Sequence, residues 1–105
     1  MGNNNTNTNS LSPQEAKKLI KDNTFGIILD VRTENEWNNG HHPNATHIPL
    51  DKVEKKFNKL FPDKSIKVLI YCRSGNRAGY AAKILNSQEY SNVYIVSDGG
   101  YSDII

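Results

Sequence analysis

Short apolar runs alternate with amphipathic segments along this chain. Three runs have the length of a buried strand: residues 25–31 (FGIILDV), 68–71 (VLIY) and 92–96 (NVYIV). A shorter stretch, HIPL at residues 47–50, predicts one further strand. Because the longer runs are largely apolar and do not alternate with polar residues, they are typical of a parallel sheet that is covered on both faces.

Amphipathic segments between these runs predict helices. The first has strong start signals, since Ser12 can cap it, Pro13 suits the first helical position and Glu15 completes a Ser-x-x-Glu capping box. Further helices or helical turns are predicted at residues 33–40, 51–61 and 77–87. Strands that alternate with helices indicate an α/β fold, with a central parallel sheet of four to five strands and helices on both faces.

Composition adds limits to this fold. Residues 1–10, MGNNNTNTNS, contain no strongly apolar side chain after Met1, which predicts a disordered polar tail followed by one folded domain at residues 11–105. The net charge of +2 is too small to indicate nucleic-acid binding. No run of about 18 apolar residues occurs, so we expect no transmembrane segment.

The location of the protein is a separate expectation. No signal peptide is recognisable, which favours a cytoplasmic protein. A periplasmic or lipid-tethered protein is the alternative if a signal segment has been removed from the N-terminus. Gly2 and Thr6 fit the loose pattern for myristoylation.

The single cysteine, Cys72, lies between an apolar strand and the basic loop RSGNR at residues 73–77. Ligands of parallel sheets bind beyond the carboxyl ends of the strands. Backbone N–H groups of the loop and of the next helix can point at the sulfur, Gly75 allows a tight turn, and Arg73 and Arg77 add positive charge. These surroundings favour an anionic, nucleophilic sulfur. The alternative is a buried structural cysteine.

Three stretches of the sequence resemble motifs of one known family. CRSGNRA at residues 72–78 resembles the active-site loop of single-domain rhodaneses, which are thiosulfate or persulfide sulfurtransferases. Residues 29–50 resemble the family's Asp-Val-Arg strand end, its acidic and aromatic turn, and its Gly-His and Ile-Pro-Leu elements. VSDGGY at residues 96–101 resembles the Gly-Gly turn after the last strand. The chain departs from the family at His42, where an apolar residue is usual, and at Asn44, where glycine is usual.

This resemblance implies roles for particular residues. Cys72 would take a sulfane sulfur from thiosulfate or another persulfide donor, and would pass it to cyanide or to a thiol, which can be a protein thiol. The substrate-binding loop would consist of Arg73, Ser74, Gly75, Asn76 and Arg77. Asp30 and Arg32 would support the site as an ion pair or a loop anchor. No cofactor and no metal is implied.

Other functions remain alternatives at this point. A tyrosine-type phosphatase or an arsenate reductase needs a Cys-x5-Arg loop, whereas four residues separate Cys72 from Arg77. A non-catalytic rhodanese-like binding module would usually have lost the cysteine. A metal site is not expected, because the spacing of His41, His42 and His47 matches no standard pattern. Trp37 is expected in the core, and His41 as a hydrogen-bonding structural residue.

Overall fold

Five parallel strands form the central sheet of the computed structural model, which describes residues 8–105. The strands are β1 (Thr8–Leu11), β2 (Ile27–Asp30), β3 (Ala45–His47), β4 (Val68–Tyr71) and β5 (Val93–Val96). Their order across the sheet is β1-β5-β4-β2-β3. The strand that leads into Cys72, β4, is therefore central, and the predicted α/β fold with four to five parallel strands is confirmed.

Helices cover both faces of this sheet, as predicted. They are α1 (Pro13–Lys21), α2 (Glu34–Asn38), α3 (Leu50–Leu60), α4 (Asn76–Ser87) and α5 (Tyr101–Ile104). Alternate residues of β4 serve the two faces: Val68 and Ile70 pack with α3 and α4, and Leu69 and Tyr71 pack with α1 and α5. Each apolar side chain buried in this way contributes about 2 kcal/mol. No helix within residues 8–105 is long and apolar enough to cross a membrane.

The capping box predicted for α1 is present. Ser12 Oγ accepts a hydrogen bond from the Glu15 amide at 3.1 Å, and Glu15 Oε1 accepts one from the Ser12 amide at 2.9 Å. A second box, which the sequence analysis did not identify, joins Thr33 and Glu36 at the start of α2. This box stabilises a helix of only five residues.

The domain begins earlier than the predicted boundary at residue 11. Thr8–Leu11 forms β1, which pairs with β5 from Thr8 with Val93 to Leu11 with Val96. An edge strand is held by backbone hydrogen bonds, so its polar side chains can remain exposed. The remainder of the predicted tail, residues 1–7, lies outside the described residues.

The short strand also lies earlier than predicted. Residues 45–47 form β3, whereas the sequence pattern placed the strand at residues 47–50. Pro49 has no amide hydrogen, and it caps α3, which begins at Leu50. The apolar residue between them, Ile48, is buried and donates its amide to the Asp30 carbonyl at 3.0 Å.

Trp37 is only half-buried, so the prediction that it belongs to the core is wrong. Its indole is covered by two histidine rings instead, with ring centroids 3.4 Å away for His41 and 4.7 Å away for His47. His41 Nδ1 lies 3.0 Å from the Trp37 carbonyl, and His47 Nε2 lies 2.8 Å from the Arg32 carbonyl. Within residues 8–105, no group of three potential metal-ligating side chains comes together.

His42, which replaces an apolar residue, should make stability depend on pH. The residue is 7% exposed, and its Nδ1 accepts the Asn44 amide at 3.1 Å, so the ring is neutral. Burial lowers the pKa of His42 below 6.5. As pH falls below 6.5 the unfolded chain therefore binds a proton that the folded protein resists, and the free energy of unfolding decreases. Above that pH this contribution is constant.

Urea unfolding at several pH values between about 4.5 and 8 tests this prediction, because that range brackets the ordinary histidine pKa. The His42→Ile variant, which restores an apolar side chain, should lose less stability on acidification than the original protein. The other two histidines are present in both proteins and cancel in the comparison. Equal losses in the two proteins would contradict the assignment.

Candidate active site

The sulfur of Cys72 lies in a cradle of backbone amides. Cys72 directly follows β4 and is 1% exposed. Its Sγ accepts hydrogen bonds from the amides of Gly75 at 3.0 Å and Ala78 at 3.4 Å. One donor therefore belongs to the loop and the other to the first turn of α4, whose dipole also favours negative charge at this end. The geometry stabilises an anion on the sulfur.

Gly75 makes the turn of this loop possible. It has a φ of +103°, in a region that side chains rarely adopt, and it precedes the first residue of α4. The backbone freedom predicted for this glycine is thus used at the point where the chain reverses around the sulfur. The neighbouring Ser74 and Asn76 are exposed, and neither is a hydrogen-bond partner of the sulfur.

The Gly-Gly turn after β5 packs directly against the backbone of the cysteine loop. A side chain at Gly100 would overlap the carbonyl oxygens of Cys72 and Arg73. The next amide, that of Tyr101, donates to the Cys72 carbonyl at 2.9 Å. Asp103 Oδ2 accepts the Gly100 amide at 2.9 Å, which closes the turn. The resemblance identified this motif, but only the structure shows that it supports the backbone of Cys72.

Asp30 and Arg32 form a buried ion pair at the end of β2. Arg32 Nη2 lies 2.8 Å from Asp30 Oδ2 and also donates to the Gly40 carbonyl at 2.7 Å. The guanidinium lies over two aromatic rings, 4.4 Å from the centroid of Tyr101 and 5.5 Å from that of Tyr71. These contacts connect β2 with α5 and with the loop that follows α2. They support an anchoring role for the Asp30–Arg32 pair.

The guanidinium of Arg77 is directed at Glu36. Arg77 Nη1 and Nη2 lie 2.6 and 2.9 Å from Glu36 Oε1 and Oε2. The Arg77 hydrogen bond holds the pKa of Glu36 at about 2, with further help from Thr33. Sequence reasoning expected Arg77 in anion binding and did not select Glu36. The Thr-x-x-Glu spacing could have identified the cap, but not the partner, which is 41 positions away.

A cleft of about 330 Å³ lies beside the cysteine loop. Its walls are formed by Arg32, Glu36, Asn39, Gly40, Arg73, Tyr101 and Ser102. Arg73 is exposed, and no ion pair involves it within residues 8–105. Its guanidinium is therefore available to a ligand, while those of Arg32 and Arg77 are already matched by carboxylates.

Comparison with known proteins identifies the family of this α/β domain. A family model described as a Rhodanese-like domain matches residues 12–105. The chain therefore belongs to the rhodanese-like family, and the resemblance seen in the three sequence motifs is confirmed.

Individual relatives are consistent with this assignment. The thiosulfate sulfurtransferase PspE of Escherichia coli strain K12 is 34% identical, over 72% of this chain and 71% of PspE. The putative sulfur carrier protein YrkF of Bacillus subtilis strain 168 is also 34% identical, over 85% of this chain, which spans about half of that protein (47%). The crystal structure of SSP1007 from Staphylococcus saprophyticus superposes with a TM-score of 0.77, at 29% identity over 92% of this chain and 93% of SSP1007.

Proposed function

We propose that this protein is a sulfurtransferase that carries a sulfane sulfur on Cys72. The donor is thiosulfate or another persulfide, and the acceptor is a thiol or cyanide. The observation that carries the proposal is the pair of amides that donate to Sγ, from Gly75 at 3.0 Å and Ala78 at 3.4 Å. Such donors stabilise the negative sulfur both before and after it takes up a second sulfur atom.

The reaction balances in two displacement steps. The Cys72 thiolate attacks the outer sulfur of thiosulfate, the S–S bond breaks, and sulfite leaves with the bonding electron pair. The acceptor then attacks the terminal sulfur of the persulfide, and the Cys72 thiolate is released. Cyanide becomes thiocyanate in this step, and a thiol becomes a persulfide.

The surroundings of Cys72 support an anionic donor. Arg73 lines the adjacent cleft without an ion-pair partner in the described part of the chain, so it can attract thiosulfate. A cleft of about 330 Å³ has room for a small thiol or for the cysteine side chain of another protein. The names of two relatives, a thiosulfate sulfurtransferase and a putative sulfur carrier, agree with this chemistry.

Intact-mass measurement tests the proposal directly. Incubation with thiosulfate should add about 32 Da, the mass of one sulfur atom, and cyanide should then remove it as thiocyanate. Because the chain has one cysteine, any added sulfur is assigned without proteolysis. A protein that gains no mass from thiosulfate or from an inorganic polysulfide would exclude this function.

Phosphate esters should not be substrates. Four residues separate Cys72 from Arg77, and Glu36 already occupies both terminal nitrogens of that arginine. No guanidinium is then free at the end of the loop to hold a phosphoryl group. We expect no release of p-nitrophenol from p-nitrophenyl phosphate under conditions that give rapid thiocyanate formation. Hydrolysis that depends on Cys72 at a comparable rate would favour the phosphatase alternative.

A further inference from the structure

We propose that Glu36 sets the anion affinity of the site by cancelling the charge of Arg77. The loop can then stabilise a negative sulfur on Cys72, while a second anion in the cleft is held by Arg73 alone. The inference rests on the proposed function, because in that reaction the second anion is thiosulfate or the departing sulfite.

Arg77 lies beside the amides that surround the sulfur, but its positive charge is compensated by Glu36. It directly precedes Ala78, whose amide donates to Sγ. Its two terminal nitrogens are occupied by the two oxygens of Glu36, at 2.6 and 2.9 Å. This two-pronged pairing fixes the plane of the guanidinium and leaves its charge compensated.

Glu36 is held in place and stays ionised. Its Oε1 also accepts the amide of Thr33 at 2.9 Å and the hydroxyl of Thr33 at 3.1 Å. The hydrogen bond from Arg77 lowers the pKa of Glu36 to about 2, so the carboxylate is negative at any pH near neutrality. Glu36 also lines the cleft together with Arg73 and Arg32, and the charge of Arg32 is compensated by Asp30. An anion in the cleft therefore lies near one positive side chain without an ion-pair partner in the described part of the chain, Arg73, and near the Glu36 carboxylate.

This arrangement suits a reaction that binds one dianion and releases another. Thiosulfate enters and sulfite leaves, while the charge on Cys72 is the same before and after transfer. Two uncompensated arginines would retain sulfite and slow the reaction of the acceptor. With Glu36 in place, the cleft attracts the donor through Arg73 and still releases the product.

Equilibrium binding in the Cys72→Ser background tests this without any sulfur transfer. Titration calorimetry with sodium sulfite, and with sodium sulfate as an unreactive probe, gives the affinity of each variant. Adding Glu36→Gln should tighten the binding of both anions about tenfold, because it removes a carboxylate and releases Arg77. Glutamine keeps the size of the side chain and can still serve at this capping position. Arg73→Ala should weaken the binding of both anions, and it shows how low the affinity becomes when the proposed anion ligand is removed.

Variants of Arg77 complete a double-mutant cycle with Glu36→Gln. Arg77→Gln alone should weaken anion binding, since it leaves Glu36 uncompensated. The Glu36→Gln/Arg77→Gln pair should return to within about twofold of the starting affinity, because it removes one charge of each sign. If Glu36 instead only positions Arg77 as an anion ligand, then Glu36→Gln should weaken binding and the pair should stay weak. Unchanged or weaker anion binding in Glu36→Gln would overturn the proposal. If Glu36→Gln does not fold, the affinity of the Glu36→Gln/Arg77→Gln double variant decides between the two interpretations.

Kinetics with Cys72 intact give an independent readout. Glu36→Gln should lower the KM for thiosulfate and tighten inhibition by sulfite, each about tenfold, without raising kcat. A merely structural role would reduce kcat and leave both anion constants unchanged. If Cys72 takes up no sulfur, the proposed function fails, but tighter binding in the Cys72→Ser series would still establish the effect of Glu36 on anion affinity.

Discussion

Replacing Cys72 with serine should abolish sulfur uptake and reduce thiocyanate formation by at least about a thousandfold. A serine hydroxyl is far less nucleophilic than a thiolate and cannot carry a persulfide. The substitution is nearly isosteric at a position that is 1% exposed, so we expect the fold to remain. The measurements are the rate of thiocyanate release, the intact mass after thiosulfate, and the circular dichroism spectrum.

A relocated thiol provides the matched control for this prediction. Ser10 is exposed on the edge strand β1. Adding Ser10→Cys to the Cys72→Ser variant restores one thiol without the amides of Gly75 and Ala78, and it should not restore sulfur uptake from thiosulfate. The proposal would be abandoned if Cys72→Ser still formed thiocyanate at the original rate. Full rescue by Ser10→Cys would show that the cradle is unnecessary.

Gly100→Ala should be strongly damaging although it removes no polar group of the site. The new methyl group would overlap the carbonyl oxygens of Cys72 and Arg73, so the cysteine loop has to move. Such overpacking costs about 1 to 3 kcal/mol of stability. Displacing the reacting sulfur by about 1 Å should reduce kcat/KM about a hundredfold. Urea unfolding and steady-state kinetics with thiosulfate and cyanide measure the two effects.

Gly79→Ala is the matched control, because the same change is made where there is space. Apart from its chain neighbours and the adjacent backbone of α4 itself, no atom lies within 4 Å of the added methyl group at this position. The variant should keep its activity and gain up to about 1 kcal/mol of stability from the higher helix propensity of alanine. If Gly100→Ala retained the activity and stability of the original protein, the close packing of the Gly-Gly turn on Cys72 would not matter for function.

The sequence was sufficient where the structure depends on local signals. The run VLIY at residues 68–71 is apolar throughout because β4 is buried on both faces, and β4 occurs at those residues. The box from Ser12 to Glu15 needs only a three-residue spacing, and it forms as predicted. The geometry around Cys72 could also be predicted from local sequence, because a strand, a turn glycine and the start of a helix follow each other directly.

Features that depend on distant partners were not predictable in this way. β1 contains mostly polar side chains, and only its backbone pairing with β5 makes it a strand. The partner of Arg77 is Glu36, and nothing in either local sequence indicates the other. Trp37 resembles a core residue by type, yet it lies on a five-residue helix with no buried residue and is covered by His41 and His47.

The depth of Cys72 has a consequence for which atom of a persulfide can react. A persulfide there would keep its inner sulfur at the position of Sγ, enclosed by the amides of Gly75 and Ala78 and 1% exposed in the present state. Only the outer sulfur would reach an incoming thiolate. Attack at the outer atom regenerates the cysteine, whereas attack at the inner atom would expel hydrosulfide and leave a mixed disulfide. In the proposed reaction the buried position would therefore direct the acceptor to the outer sulfur, and it would keep the protein from ending as a mixed disulfide with its acceptor.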